Sequence, residues 1–162
     1  MSFIVLYIDF DGVLHELGQE AFDEQFNLVR NENLFCWRSI LEDLLEPHPS
    51  IRIVVSSDWR RLCGDEALRQ VLGRDLGQRF VGVVEIYNSS RATEILADAS
   101  RRKLDYWLAV DDHASVHEAR RQGDQRFVGC SSETGLSAPS VQREIRQKLA
   151  RLESTIRSRD IS

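Results

Sequence analysis

The sequence predicts an α/β fold with a mostly parallel central sheet flanked by helices, and three observations carry that reading. Short apolar runs alternate with stretches of helical periodicity, as expected when strands are buried between helices. Three of those runs lead directly into side chains able to do chemistry, at Asp9, Ser56 and Asp111. Open parallel sheets carry their sites at the carboxyl ends of strands, so the three sequence positions are expected to meet in space.

Strands are predicted at about 3–9, 51–56, 80–86, 105–110 and 126–130. The first, Phe3-Ile4-Val5-Leu6-Tyr7-Ile8, is apolar up to a carboxylate and is a strand rather than a signal peptide. Between 12 and 34 the chain has no clear period and is rich in Glu, Asp, Gln and Asn, which predicts a mobile flap or a hairpin. Trp37, Ile40, Leu41, Leu44 and Leu45 then repeat at helical spacing until Pro47. A second core stripe, Leu62, Ala67, Leu68, Val71 and Leu72, stops at Gly73. A third helix is predicted from a Ser90 cap through Ile95, Leu96 and Ala99 to the basic cluster Arg101-Arg102-Lys103, whose charges suit a helix C-terminus. The last follows Pro139, with Val141, Ile145, Leu149, Leu152 and Ile156 facing inward and Arg143, Arg146, Arg151 and Arg157 forming a solvated face.

At 162 residues, with 42% hydrophobic and 29% charged side chains, the chain is expected to form a single domain over residues 1–162 around one core. A net charge of −5 argues against a protein that coats nucleic acid by bulk electrostatics, while leaving room for a local basic patch. Cys36, Cys63 and Cys130 lack metal or disulfide spacing and are expected to be small core residues, which fits a cytoplasmic location. No apolar run approaches the roughly 20 residues a membrane-spanning helix needs.

The chemistry is concentrated in four segments. Asp9-Phe10-Asp11-Gly12-Val13-Leu14 ends the first strand with two carboxylates on one side of an extended chain, and Gly12 lets the backbone turn away. Trp107-Leu108-Ala109-Val110-Asp111-Asp112 delivers another acidic pair to a strand end. Carboxylates held this close repel unless a hard cation with oxygen ligands, Mg²⁺ above all, lies between them. Ile53-Val54-Val55-Ser56-Ser57 presents hydroxyls and backbone N–H groups suited to phosphate oxygens, although Ser57 and Asp58 also make good helix caps. Arg91 sits in the first turn of its helix against the macrodipole, a placement that marks either a functional cation or an arginine paired with Glu94 or Glu85.

In this order the four segments resemble the haloacid dehalogenase (HAD) superfamily, over about residues 3–116, and Gly135-Leu136-Ser137 is similar to that family's closing segment. The resemblance implies a HAD-like three-layer α/β/α Rossmannoid fold without a large cap domain. It implies a Mg²⁺-dependent phosphatase or phosphotransferase in which Asp9 is the nucleophile and Asp11 the general acid and base. Asp9, the backbone carbonyl of Asp11, and Asp111 with Asp112 in support would hold the metal. Ser56 would bind the transferring phosphoryl group, and Arg91 would replace the family's usual lysine, with Lys103 as the fallback.

Both positions where superfamily caps are inserted are short here, which implies an open site suited to a bulky substrate such as a nucleic-acid end or a phosphoprotein. Trp59, Arg60 and Arg61 follow at once on the phosphate-binding turn, in which Ser57 joins Ser56 as a substrate-binding residue. The expectation is that Arg60 contacts substrate phosphate and Trp59 stacks on a base, against the alternative that Trp59 covers a helix start and the arginines are surface. His15 in the flap is placed to touch substrate, against the commoner reading of a loop histidine that is only solvated, and His113 and His117, although four apart, make no zinc site. The rival function is a catalytically silent domain that binds phosphate or a partner on the same fold, and a response-regulator receiver fits less well because it needs an aspartate where this chain has Ser56.

Overall fold

A computed structural model describes residues 2–162. Five strands, β1 (Val5–Ile8), β2 (Arg52–Val55), β3 (Phe80–Val83), β4 (Trp107–Asp111) and β5 (Phe127–Gly129), alternate with helices α1 (Arg38–Leu45), α2 (Asp65–Gly77), α3 (Arg91–Arg101), α4 (Ala114–Arg121) and α5 (Pro139–Asp160). The strands form one parallel sheet in the order β3-β2-β1-β4-β5. Strand periodicity then sorts the core into two faces. Leu6, Ile8, Ile53, Val55, Leu108 and Val110 pack against α1, α2 and α5, while Val5, Tyr7, Val54, Trp107 and Ala109 pack against α3 and α4. Because both faces are covered, β1 is buried at every residue, which is why its sequence is continuously apolar.

Three expectations change in detail. β3 stops at Val83 rather than 86 because it is an edge strand, and its partner β2 offers its last carbonyl, Val55 O, to the N–H of Val84. The second helix continues past Gly73 to Gly77 through a break at Gly73 itself, whose φ of +83° only glycine adopts without strain. The Arg38 guanidinium packs against this break and donates to Val71 O at 2.9 Å. Its buried stripe is therefore Leu68, Leu72 and Leu76, whereas Leu62 and Ala67 are exposed. Cys36 is exposed, not core, while Cys130 is buried.

The segment between β1 and α1 contains a small hairpin, closed by Asp23 N–H to Asn27 O and Val29 N–H to Ala21 O, and it packs Phe22, Leu34 and Phe35 onto the core. On α5, Val141, Ile145 and Leu149 are buried and Arg143, Arg146, Arg151 and Arg157 are exposed, as the periodicity predicts. Among the described residues, no helix is long and apolar enough to cross a membrane.

Candidate active site

The sheet register builds the site. Ile8 lies opposite Val55 on one side and Val110 on the other, so the next residues along each strand, Asp9, Ser56 and Asp111, emerge level with one another. Alternation turns all three toward the face covered by α3. Asp9 is 5% exposed, and its carboxylate accepts the N–H of Phe10 at 2.8 Å. The chain then turns at Gly12, φ +78°, in a loop held by Leu14 N–H to Phe10 O (2.8 Å) and by Leu136 N–H to Val13 O (3.1 Å). The segment Gly135-Leu136-Ser137 thus clamps the loop that follows Asp9.

Carboxylate oxygens of Asp9, Asp111 and Asp112 lie within 4.8 Å of one another. Burial pushes the Asp9 carboxyl well above the usual range, the Asp111 charge adds to the rise, and Arg91 opposes it. Burial likewise raises Asp111, again against Arg91. Asp112 is fixed by the Ser132 hydroxyl at 2.7 Å and Asp111 by the His113 N–H at 2.9 Å. A cluster of buried, all-oxygen donors whose anions destabilise one another fits a hard divalent cation such as Mg²⁺.

Arg91 enters from the start of α3, where Ser90 caps the helix by accepting the Thr93 N–H at 3.3 Å. Its Nη1 lies 2.9 Å from Asp111 Oδ2 and 3.4 Å from Asp9 Oδ1, and its Nη2 lies 3.3 Å from Asp58 Oδ1. Burial works to lower its pKa, but the carboxylates of Asp111, Asp9 and Asp58 outweigh burial and hold it above the ordinary value. Neither Glu94 nor Glu85 is its partner, so the arginine opposing its own helix dipole is there for the acidic cluster. Beside it, Ser56 is fully buried, and its Oγ has no hydrogen-bond partner among the described residues. Such groups are uncommon, and an unmade bond on the strand end level with Asp9 calls for a ligand.

Residues 5–141 match the model of the HAD domain in Swiss Army Knife RNA repair proteins. The chain belongs to that family. No curated protein and no solved structure matches it. The HAD fold expected from the strand-end motifs is thus supported from two sides, by the parallel five-stranded sheet and by the family match.

Within this HAD domain several residues sit where the sequence did not place them. Asp11 is outside the carboxylate cluster, because the chain bends after Asp9 instead of staying extended; its side chain lies between the ring nitrogen of His15 and the indole of Trp59. His15 is not solvated but fully buried. Trp59, 3% exposed among Phe10, Phe22 and Phe35, has no free face on which a base could stack. Arg60 does not reach the mouth either. Its guanidinium is turned inward, donating to Val84 O (2.8 Å), Ser56 O (2.7 Å) and Ser57 O (3.0 Å) and pairing with buried Glu94 at 3.3 Å. That clamp ties β2, the β3–α3 loop and α3 together and engages four of the five guanidinium N–H donors inside the fold.

Ser57 is buried and caps the short 3₁₀ turn Asp58–Arg61 by accepting the Trp59 N–H, so the capping alternative describes it. Arg61 is the arginine that remains on the surface. Lys103 lies beyond the far end of α3, leaving Arg91 as the cation that meets Asp9. His113 caps α4, and His117 bonds to Cys130 O. The burial of His15 was missed because the residues that enclose it, Phe35 and Trp59, are distant in sequence, although its place four residues after Asp11 was a usable sign.

Proposed function

We propose that this HAD domain is a Mg²⁺-dependent phosphomonoesterase that works through an aspartyl phosphate on Asp9, with the terminal phosphates of RNA as its substrate class. The observation that carries the chemistry is a buried carboxylate, Asp9, set level with the unpartnered hydroxyl of Ser56 and held against the cation of Arg91. The RNA assignment rests on the family's description and on the shortness of the two segments, 12–34 and 59–88, where a cap would be inserted.

Asp9 attacks phosphorus while the ester oxygen leaves, taking a proton from the Asp11 carboxyl. Water then attacks the phosphorus of the aspartyl phosphate, gives its proton to Asp11 and restores the Asp9 carboxylate. Ser56 and Arg91 donate hydrogen bonds to the phosphoryl oxygens as charge builds on them. Asp9, Asp111 and Asp112, with the Asp11 carbonyl, are the groups to hold Mg²⁺, which when bound supplies positive charge that draws nucleophile and phosphate together. A silent domain that binds a partner and no phosphate leaves Ser56 without a role, while one that binds phosphate would give Ser56 its ligand and is told apart by the absence of turnover.

The test of the substrate class is phosphate release from oligoribonucleotides carrying a 3′ or 5′ phosphate, compared with a phosphopeptide, each with Mg²⁺ and with EDTA. Metal-dependent release from the RNA ends at a kcat/KM at least about tenfold above the peptide is expected. Preference for the peptide would overturn the RNA assignment.

A further inference from the structure

The HAD comparison says nothing about what fixes the side chain of Asp11, and two residues here take hold of both its oxygens. His15 Nε2 lies 2.7 Å from Asp11 Oδ1, and Trp59 Nε1–H donates to Asp11 Oδ2 at 3.1 Å. The other ring nitrogen of His15, Nδ1, accepts the backbone N–H of Phe35 at 3.2 Å. A neutral imidazole has one donor and one acceptor, so a nitrogen facing an N–H must be the acceptor. The proton therefore sits on Nε2 and points at Asp11.

The holders are themselves immobilised. His15 is fully buried, edge-on to Phe35 at 5.1 Å, and Trp59 is enclosed by Phe10, Phe22 and Phe35 with ring centroids 4.8–5.5 Å apart. Phe22 and Phe35 come from the segment between β1 and α1, and Trp59 from the 3₁₀ turn that follows Ser56. The Asp11 side chain stays 33% exposed, and a carboxylate has about four lone-pair sites, so two donors leave room for a substrate oxygen or water.

We infer that His15 and Trp59 are positioning residues for the acid and base step: a cradle of two donors that fixes the rotation of the Asp11 carboxyl and aims its remaining lone pairs at the leaving group. The inference rests on the phosphatase reading. It gives the polar segment after Asp9 a purpose other than covering substrate, because its aromatic residues are what lock the two donors in place. Proton transfer depends steeply on donor–acceptor geometry, so losing one donor misaims the carboxyl without removing it.

The test compares Trp59→Phe, His15→Asn and His15→Gln with the native chain and Asp11→Asn, reading kcat/KM for an alkyl phosphate and for p-nitrophenyl phosphate. An alkoxide must be protonated as it leaves and nitrophenolate need not be, so a misaimed acid harms the alkyl ester more. Trp59→Phe and His15→Asn are expected to lose at least about tenfold more on the alkyl than on the aryl ester, in the direction of Asp11→Asn. Glutamine places an amide N–H near the imidazole Nε2, whereas asparagine reaches only the Nδ1 side, so His15→Gln should retain more alkyl activity than His15→Asn. A purely structural role for His15, bonding to Phe35, predicts the reverse order. Equal losses on both esters while Asp11→Asn discriminates, or asparagine outperforming glutamine, would overturn the inference. If the native chain cleaves neither of these esters nor a phosphorylated RNA end, the phosphatase reading fails and takes the catalytic role with it. The cradle is then decided separately by imidazole ¹⁵N spectra, which are expected to place the His15 proton on Nε2; a proton on Nδ1 overturns it.

Discussion

Ser56→Ala should leave the fold at least as stable as the native chain while removing most of its activity. The Ser56 hydroxyl is fully buried and makes no bond among the described residues, so folding strips it of water without replacement. That loss amounts to roughly 1–3 kcal/mol for a neutral polar group. Taking the oxygen away leaves a void of about one atom, which at ~24 cal/mol per Å³ offsets only part of the gain. The net expectation is a stabilisation of about 1 kcal/mol, or a rise of roughly 2–4 °C in Tm for a chain of this size. Activity should move the other way, by about 10²-fold in kcat, the scale of a lost donor to a developing oxyanion. Thermal unfolding and phosphate release on the same preparation check both signs. A Tm lowered by more than about 4 °C with turnover intact would mean that the hydroxyl is structural and that the phosphate assignment is wrong.

Three other expectations follow from particular contacts. A Cβ at Gly12 would overlap the Asp112 carboxylate, and the position has φ +78°, so Gly12→Ala should cost roughly 2 kcal/mol and also disrupt the Asp112–Ser132 bond. Its Mg²⁺-induced rise in Tm should shrink with the stability; an undiminished rise would remove Asp112 from the metal site. Arg60→Gln should destabilise by roughly 3–5 kcal/mol, since it leaves Glu94 buried without its counter-cation and held only by the Tyr87 N–H, yet leave KM unchanged in the folded fraction. A tenfold rise in KM at native stability, measured by urea unfolding and kinetics, would return Arg60 to the substrate mouth. Finally, burial and like charge raise the Asp9 pKa in the folded, metal-free chain above its unfolded value. The folded state then holds more protons than the unfolded state across that window, so this residue's contribution to stability falls as pH rises through the raised pKa. In EDTA, Asp9→Asn should therefore gain in Tm on the native chain as pH rises above the ordinary aspartate value of about 4, and Mg²⁺ should erase that gain. A difference independent of pH and metal would show that the cluster carries no such repulsion.

What could be read from the sequence divides along physical lines. Asp9, Ser56 and Asp111 were legible because each ends a buried parallel strand, and such strands announce themselves as continuous apolar runs. Arg91 was legible as a residue set against its own helix dipole, but its partners were not, since Asp9, Asp58 and Asp111 lie on other elements. Arg60 was misplaced because a short 3₁₀ turn has too few residues to display an inward face. Nothing local says that the carbonyls of Ser56, Ser57 and Val84 need a donor there. His15 and Trp59 were opaque for the same reason: each is defined by a contact with Asp11 that exists only once the segment 12–37 has closed against the core. The shortened β3 reflects the length of its neighbour rather than its own β-forming residues.

The central claim is that Asp9 attacks phosphorus with the help of a divalent cation. The most direct measurement is phosphate release from p-nitrophenyl phosphate by the native chain and Asp9→Asn, side by side, with Mg²⁺ and with EDTA. The account predicts turnover only for the native chain with Mg²⁺, with the variant folded and inactive. Turnover by Asp9→Asn, or by the native chain in EDTA at an undiminished rate, would contradict it.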